Sequence, residues 1–183
     1  MAIAAAGRIL EQDGLAALSA RRVAKEIEYT VGTLYLVFKN FDELILCVNA
    51  ETLDVLYAHM QEACQSRERA DERVKALAHG YVSFARSKFA RWSMLFEHQR
   101  SEALPDWYQE RVARQFAMVE IALAQLLGCS NDQVFVEARA LWGGIHGICS
   151  LALADKWTVA GVESVDVVVD SFLDNFLRGL ARR

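Results

Sequence analysis

The chain has 183 residues, a formal net charge of −4, a composition that is 54% hydrophobic and a single proline. That length suits one large domain or a small one joined to a larger, and the scarcity of proline argues against a β-sandwich or barrel. No run approaches the ~18 apolar residues of a membrane span and no basic stretch precedes an apolar one at the start, so a cytoplasmic protein is expected.

Residues 2–12 read as a first helix, with Ile3, Ala6, Ile9 and Leu10 on one face, and Asp13-Gly14 stops it. Residues 18–41, LSARRVAKEIEYTVGTLYLVFKNF, then read as two short helices around a tight turn. The first covers 19–27 behind Ser19 as N-cap, and the second covers 31–38. Val23 and Ile27 recur one turn apart and face inward, as do Leu34 and Phe38. Helices shorter than roughly 12–15 residues are marginal alone in water, so both must lean on the first. The resulting unit exposes Thr30, Thr33, Tyr35 and Lys39, the form of a helix-turn-helix DNA reader. Residues 1–45 carry five basic and six acidic side chains, a net of −1. Phosphate affinity must therefore rest on local charge, with Arg21, Arg22 and Lys39 flanking the reading helix.

Asp42 is expected to cap a fourth helix over 42–64, striped by Leu44, Val48, Leu53, Leu56 and Met60. QSRERA is a polar connection to a fifth helix ending near 88, and an aromatic element with Trp92 and Phe96 follows at 91–96. Pro105 opens a long helix to Leu127, where Gly128 ends it. Asn131 or Asp132 caps the next, running to about 157; Gly161 breaks the chain and Ser164 caps a last helix to Leu180.

These last two long helices carry an assembly signal. Helical glycine costs roughly 1 kcal/mol against alanine, so Gly143, Gly144 and Gly147 predict close helix approach. The final helix is apolar over a wide face, which is either wrapped by its own core or shared with a second subunit. Symmetric pairing through a four-helix bundle satisfies both helices, with Trp142, Gly143, Gly147, Ser150, Phe172 and Phe176 at the interface.

Catalytic signatures are missing: no G-x-S-x-G, no Walker motif, no H-E-x-x-H. No enzyme activity, cofactor or metal site is expected. Asp166, Asp170 and Asp174 stack at one-turn intervals as a metal stripe would, but read as a solvated face. Cys47, Cys64, Cys129 and Cys149 lack any C-x-x-C pairing and read as reduced core thiols. Phe84, Trp92, Phe96, Trp107, Phe116, Trp142 and His146 either line a pocket for a small apolar ligand or pack an ordinary core.

LSARRVAKEI and TVGTLYLVFKNFDELI, with Gly32-Thr33-Leu34-Tyr35 and Phe38 followed by Asp42-Glu43-Leu44, resemble the tetracycline-repressor (TetR) family of transcription regulators. LWGGIHGICSL is similar to the subgroup whose regulatory domain carries a Trp-His-Gly signature. The resemblance implies an all-α fold: a three-helix helix-turn-helix domain over 1–45, joined through a long fourth helix to a larger helical bundle over 46–183 that binds ligand and dimerises. It implies that Ser19, Thr33, Tyr35 and Lys39 hold phosphates, and that Arg21 reaches a base edge. Thr30, Val31 and Gly32 would enter the major groove of double-stranded DNA, with Leu36 against thymine methyls. Three positions depart from the pattern: Glu28 replaces a turn glycine, Val37 a polar base-reader and Phe41 a phosphate-binding lysine. The expected function is a ligand-responsive regulator, a repressor binding palindromic operators as a dimer. The rival is a small-molecule binding protein whose DNA head has lost function.

Overall fold

The computed structural model describes residues 1–98, 103–128 and 132–181. All regular structure among them is helical: α1 (Ala2–Asp13), α2 (Ala20–Glu26), α3 (Val31–Leu34), α4 (Phe41–Cys64), α5 (Ala70–Ser87), α6 (Phe89–Glu97), α7 (Asp106–Leu127), α8 (Asp132–Leu153), α9 (Lys156–Val159) and α10 (Val165–Leu180). The fold is all-α, as expected. Cys129 and Asn131 lie outside the described residues.

The chain divides into two compact units, Met1–Val55 with Ser87–Arg111, and Leu56–Arg86 with Val112–Arg183. The first therefore holds more than the helix-turn-helix read at 1–45, because α6 returns to it. Two residues explain why. Gly7 on α1 is where the Arg91 guanidinium lies, so close that a Cβ there would sit 2.3 Å from it. Arg91 then ion-pairs with Glu11 at 2.5 Å, and Met94 is fully buried with Ile9, Leu10, Val23, Leu34, Phe38, Leu44 and Val48.

Helix ends in this unit follow capping chemistry. Ser19 Oγ accepts the Arg22 N–H at 3.3 Å, as expected of an N-cap. At the start of α4 the cap is Asn40 rather than Asp42: Asn40 Oδ1 accepts the Glu43 N–H at 2.8 Å. Glu43 Oε2 reaches back to the Lys39 N–H, a variant of the capping box. Asp42 sits in the first turn, where its charge still suits the helix dipole.

In the second unit, α5 packs close to α4 at Gly80, whose Cβ would meet Met60 and Ala63 at 3.6 and 3.1 Å. Against α8, the Phe172 ring of α10 lies over Gly144, leaving no room for a Cβ. The carboxylates of α10 stand on an exposed face and meet side chains of α5 there: Asp174 pairs with Lys75 at 2.6 Å, Asp170 lies 2.8 Å from the His79 ring and Asp166 pairs with Arg86 at 3.2 Å. α8 ends at Leu153, short of the expected 157, because Asp155 takes a left-handed conformation (φ 53°). Trp157 folds back, donating its indole N–H to the Ile148 carbonyl at 2.9 Å. Ser164 occupies the N-cap position of α10 without a side-chain cap bond. No single helix among the described residues is long and apolar enough to cross a membrane.

Candidate nucleic-acid interface and ligand-binding core

α2 and α3 stand on either side of a turn built on Glu28. The Tyr29 N–H bonds the Ala24 carbonyl at 2.9 Å and the Glu28 N–H bonds the Lys25 carbonyl at 3.1 Å, which is a Schellman motif. The motif needs a left-handed residue at its C′ position, and Glu28 supplies it at φ 60° without being glycine.

α3 is only four residues long, although the apolar spacing predicts a helix to 38. Beyond Leu34 the backbone tightens: the Leu36 and Val37 N–H groups reach only three residues back, to Thr33 and Leu34. Thr30 caps this short helix, its Oγ1 accepting the Thr33 N–H at 3.1 Å and lying 3.0 Å from the Thr33 hydroxyl. The tightened turn puts Leu36 (86% exposed) and Val37 (74%) into solvent, with Tyr35 beside them, while Leu34 and Phe38 anchor it to the core.

Gly32 is exposed, and a Cβ there would touch nothing closer than Thr30 Oγ1 at 3.6 Å. The fold itself does not demand a glycine at this position. Arg22 is tied to Asp13 at 2.5 Å and Arg8 to Glu26 at 3.3 Å, so neither offers a free cation. Arg21 and Lys25 are exposed and make no ion pair among the described residues. Phe41 is half-buried against the head core, so this departure supplies an apolar anchor. Sequence reasoning missed that role, although Phe38-x-x-Phe41 spacing was the available signal.

The aromatic residues read as a pocket fall in two groups. Trp92, Phe96 and Trp107 belong to the first unit, and Phe84, Phe116, Trp142 and His146 to the second. In the first, Trp92 packs on Phe96 with ring centroids 5.1 Å apart, and Arg111 lies over Trp107. In the second, Phe116 meets Trp142 edge-on at 5.7 Å and Trp142 stacks on His146 at 5.2 Å. His146 Nδ1 shares a 2.9 Å hydrogen bond with the Tyr81 hydroxyl. Burial holds the His146 imidazole below its ordinary pKa, so the ring is kept neutral. Of the seven aromatic residues, Trp142 lines an apolar cavity of about 40 Å³ with Met60, Val74, Tyr81 and Ile145.

Among the six expected interface residues, Gly143 and Gly147 face open space and Trp142 is 36% exposed. Phe172 is seated on Gly144 of its own chain and stacks on Phe176 at 5.8 Å. Burial pushes the Cys149 thiol up to about 11, and burial with the Glu43 and Glu51 carboxylates raises that of Cys47, which disfavours the thiolate at these two positions. No group of His, Cys, Asp and Glu suited to a metal is present among the described residues.

The arrangement is that of a helical regulator with a helix-turn-helix head and a separate helical bundle. Residues 2–48 match the family described as "Bacterial regulatory proteins, tetR family", and residues 74–176 match "Tetracyclin repressor-like, C-terminal domain". The chain belongs to the TetR family of transcriptional regulators. A protein of unknown function from Rhodococcus sp. RHA1 has a similar structure, with 26% identity, TM-score 0.81, and coverage of 98% of this chain and 93% of that one. FadR from Bacillus subtilis, solved with stearoyl-CoA, shares the fold at 16% identity and TM-score 0.73, with 97% of each chain covered. PfmR, a TetR family regulator from Thermus thermophilus, does so at 15% identity and TM-score 0.65, again over 97% of each chain. No curated protein matches the sequence.

Proposed function

We propose that this TetR-family regulator is a ligand-responsive repressor, without enzymatic activity, that binds palindromic operator DNA as a homodimer in the cytoplasm. The head over 1–45 reads DNA, and residues 46–183 bind ligand and dimerise. The observation that carries this reading is the exposed tip around α3. Gly32 is exposed with room for a Cβ, Leu36 and Val37 stand in solvent, and Arg21 is unpaired among the described residues. An exposed glycine on a reading helix that its own fold does not require makes physical sense where a second backbone must come close. Ser19, Thr33, Tyr35 and Lys39 hold phosphates, Arg21 contacts a base edge, Thr30 and Val31 enter the major groove beside Gly32, and Leu36 packs on thymine methyls.

The dimer forms through α8 and α10, with Gly143, Gly147 and Trp142 on the open face and Ser150 and Phe176 beside them. Phe172 contributes by fixing α10 against Gly144. Trp142, His146 and Gly147 also support placement in the subgroup with the Trp-His-Gly signature. Ligand binding in the bundle shifts α4 and changes the separation of the two heads, which must match half-sites about 34–36 Å apart or multiples of that.

A second reading, a small-molecule binding protein with a weakened head, draws on Glu28 at φ 60° and on the head's negative net charge. Gel-shift titration against the DNA flanking its own gene separates the two. The repressor reading predicts a shift at low salt that disappears with Arg21→Ala together with Tyr35→Ala. Ligand binding without any shift would favour the second reading.

A further inference from the structure

The second unit contains a surface cleft that the aromatic reading did not anticipate. It has a volume of about 280 Å³ and lies where α4, α5 and α7 meet. Tyr57, Leu77, Met118 and Ile121 form its apolar walls, while Arg73, Gln61, Gln65 and Gln125 supply its polar groups. Arg73 is the one charged residue in that lining. Its guanidinium is held in place from two sides, Nε donating to the Arg67 carbonyl at 2.8 Å and Nη1 to Gln125 Oε1 at 2.9 Å. Among the described residues it makes no ion pair, and three of its five N–H donors are unused. A second guanidinium, that of Arg114, lies 4.3 Å from the centre of the Tyr57 ring.

Leu77 also lines the smaller apolar cavity of about 40 Å³, together with Met60, Val74, Val119, Trp142 and Ile145. Each wall helix thus turns neighbouring residues into the two spaces: Gln61 and Met60 on α4, Arg73 and Val74 on α5, Met118 and Val119 on α7. The buried Leu77 side chain is shared by a cleft with an oriented cation and a smaller space lined by no charged residue. The cleft alone approaches the ~300 Å³ at which small-molecule sites begin, and the smaller space alone is far below it.

We propose that cleft and cavity together bind a monoanionic amphiphile: Arg73 and the glutamine amides hold its carboxylate, and its unbranched apolar tail passes Leu77 towards Trp142. This rests on the reading that the bundle binds an effector, and it names the effector's class. A guanidinium fork matches a carboxylate in two parallel hydrogen bonds, and it gives a neutral alcohol much less and an ammonium ion only repulsion. The tail gains by leaving water for a lining of aliphatic and aromatic carbon.

The test is calorimetric titration of the full chain with octanoate, 1-octanol and octylammonium, each below its aggregation limit. Octanoate is expected to bind at least 10-fold more tightly than octanol, and octylammonium not to saturate. Arg73→Gln should bring octanoate to the level of octanol while leaving octanol unchanged. Ile121→Glu, at a site 59% exposed and hence tolerant of the change, should abolish octanoate binding. Equal affinity for the three probes, absence of saturable octanoate binding, or no effect of Arg73→Gln would overturn the proposal. The same preparations are assayed for operator binding without any probe. Intact DNA binding beside failed octanoate binding rejects the amphiphile alone, whereas lost DNA binding counts against the regulator reading.

Discussion

Glu28 shows how much one residue of the head can be asked to tolerate. A non-glycine residue in the left-handed region costs about 1–2 kcal/mol, and the Schellman turn holds Glu28 there at φ 60°. The sequence marks this position correctly, because a Schellman turn after a short helix wants glycine. Glu28→Gly should raise stability by about 0.5–1 kcal/mol, visible as a melting temperature about 1–4 °C higher, since glycine's greater unfolded-state entropy offsets part of the relief. Gly32 behaves in the opposite way. Gly32→Ala fills open space and gains up to about 1 kcal/mol of helix propensity, so thermal stability should hold or rise. If α3 approaches a DNA backbone, that same variant should bind operator at least several-fold more weakly in a gel shift. Undiminished DNA binding by Gly32→Ala would remove the argument for close approach. Gly7 was not legible in this way: nothing near it in sequence points to Arg91, which arrives from α6.

At the level of elements, α8 separates residues that look alike in sequence. Gly143, Gly144 and Gly147 together predict close helix approach, yet of the three only Gly144 carries the Phe172 ring. Helical spacing shows which residues share a face, but not which face meets a neighbour, and that is set by the direction from which α10 arrives. Gly144→Ala should cost about 1–3 kcal/mol in denaturant unfolding, because the ring must move or the helices part. Gly143→Ala should be neutral or stabilising in the isolated subunit, and Gly143→Leu should shift the light-scattering mass towards monomer. A dimer unaffected by Gly143→Leu would place the interface elsewhere. The same helix carries a pH dependence through His146. Burial lowers its folded pKa beneath the ordinary 6.5, so the unfolded chain takes up a proton at a higher pH than the folded one does. The stability this neutral ring contributes is complete above about pH 6.5 and is lost as pH falls towards the folded pKa. Denaturant midpoints measured from pH 7.5 down to 5 should fall less steeply in His146→Gln than in the parent.

For the whole molecule, the α-helical class and the order of long helices were legible because period, caps and glycine stops agree along the chain. The compact units were less so. The segment Ser87–Arg111 joins the head unit through Arg91, 80 residues from Glu11, and through Met94, long-range contacts that no local pattern encodes. The grouping of the aromatic residues was equally out of reach of local pattern: the seven are distributed over two units. The electrostatics of the head also emerge only in three dimensions. Pairing of Arg8 with Glu26 and Arg22 with Asp13 leaves Arg21 and Lys25 as cations without an ion pair among the described residues of the head. The central claim, that the Leu18–Phe41 stretch is a working DNA reader, is tested most directly by a gel-shift titration against the DNA flanking the protein's own gene at two salt concentrations. Saturable binding at low salt, weakened by salt and abolished by Arg21→Ala with Tyr35→Ala, is the predicted result. No shift at low salt, or a shift that this double variant leaves unchanged, would contradict it.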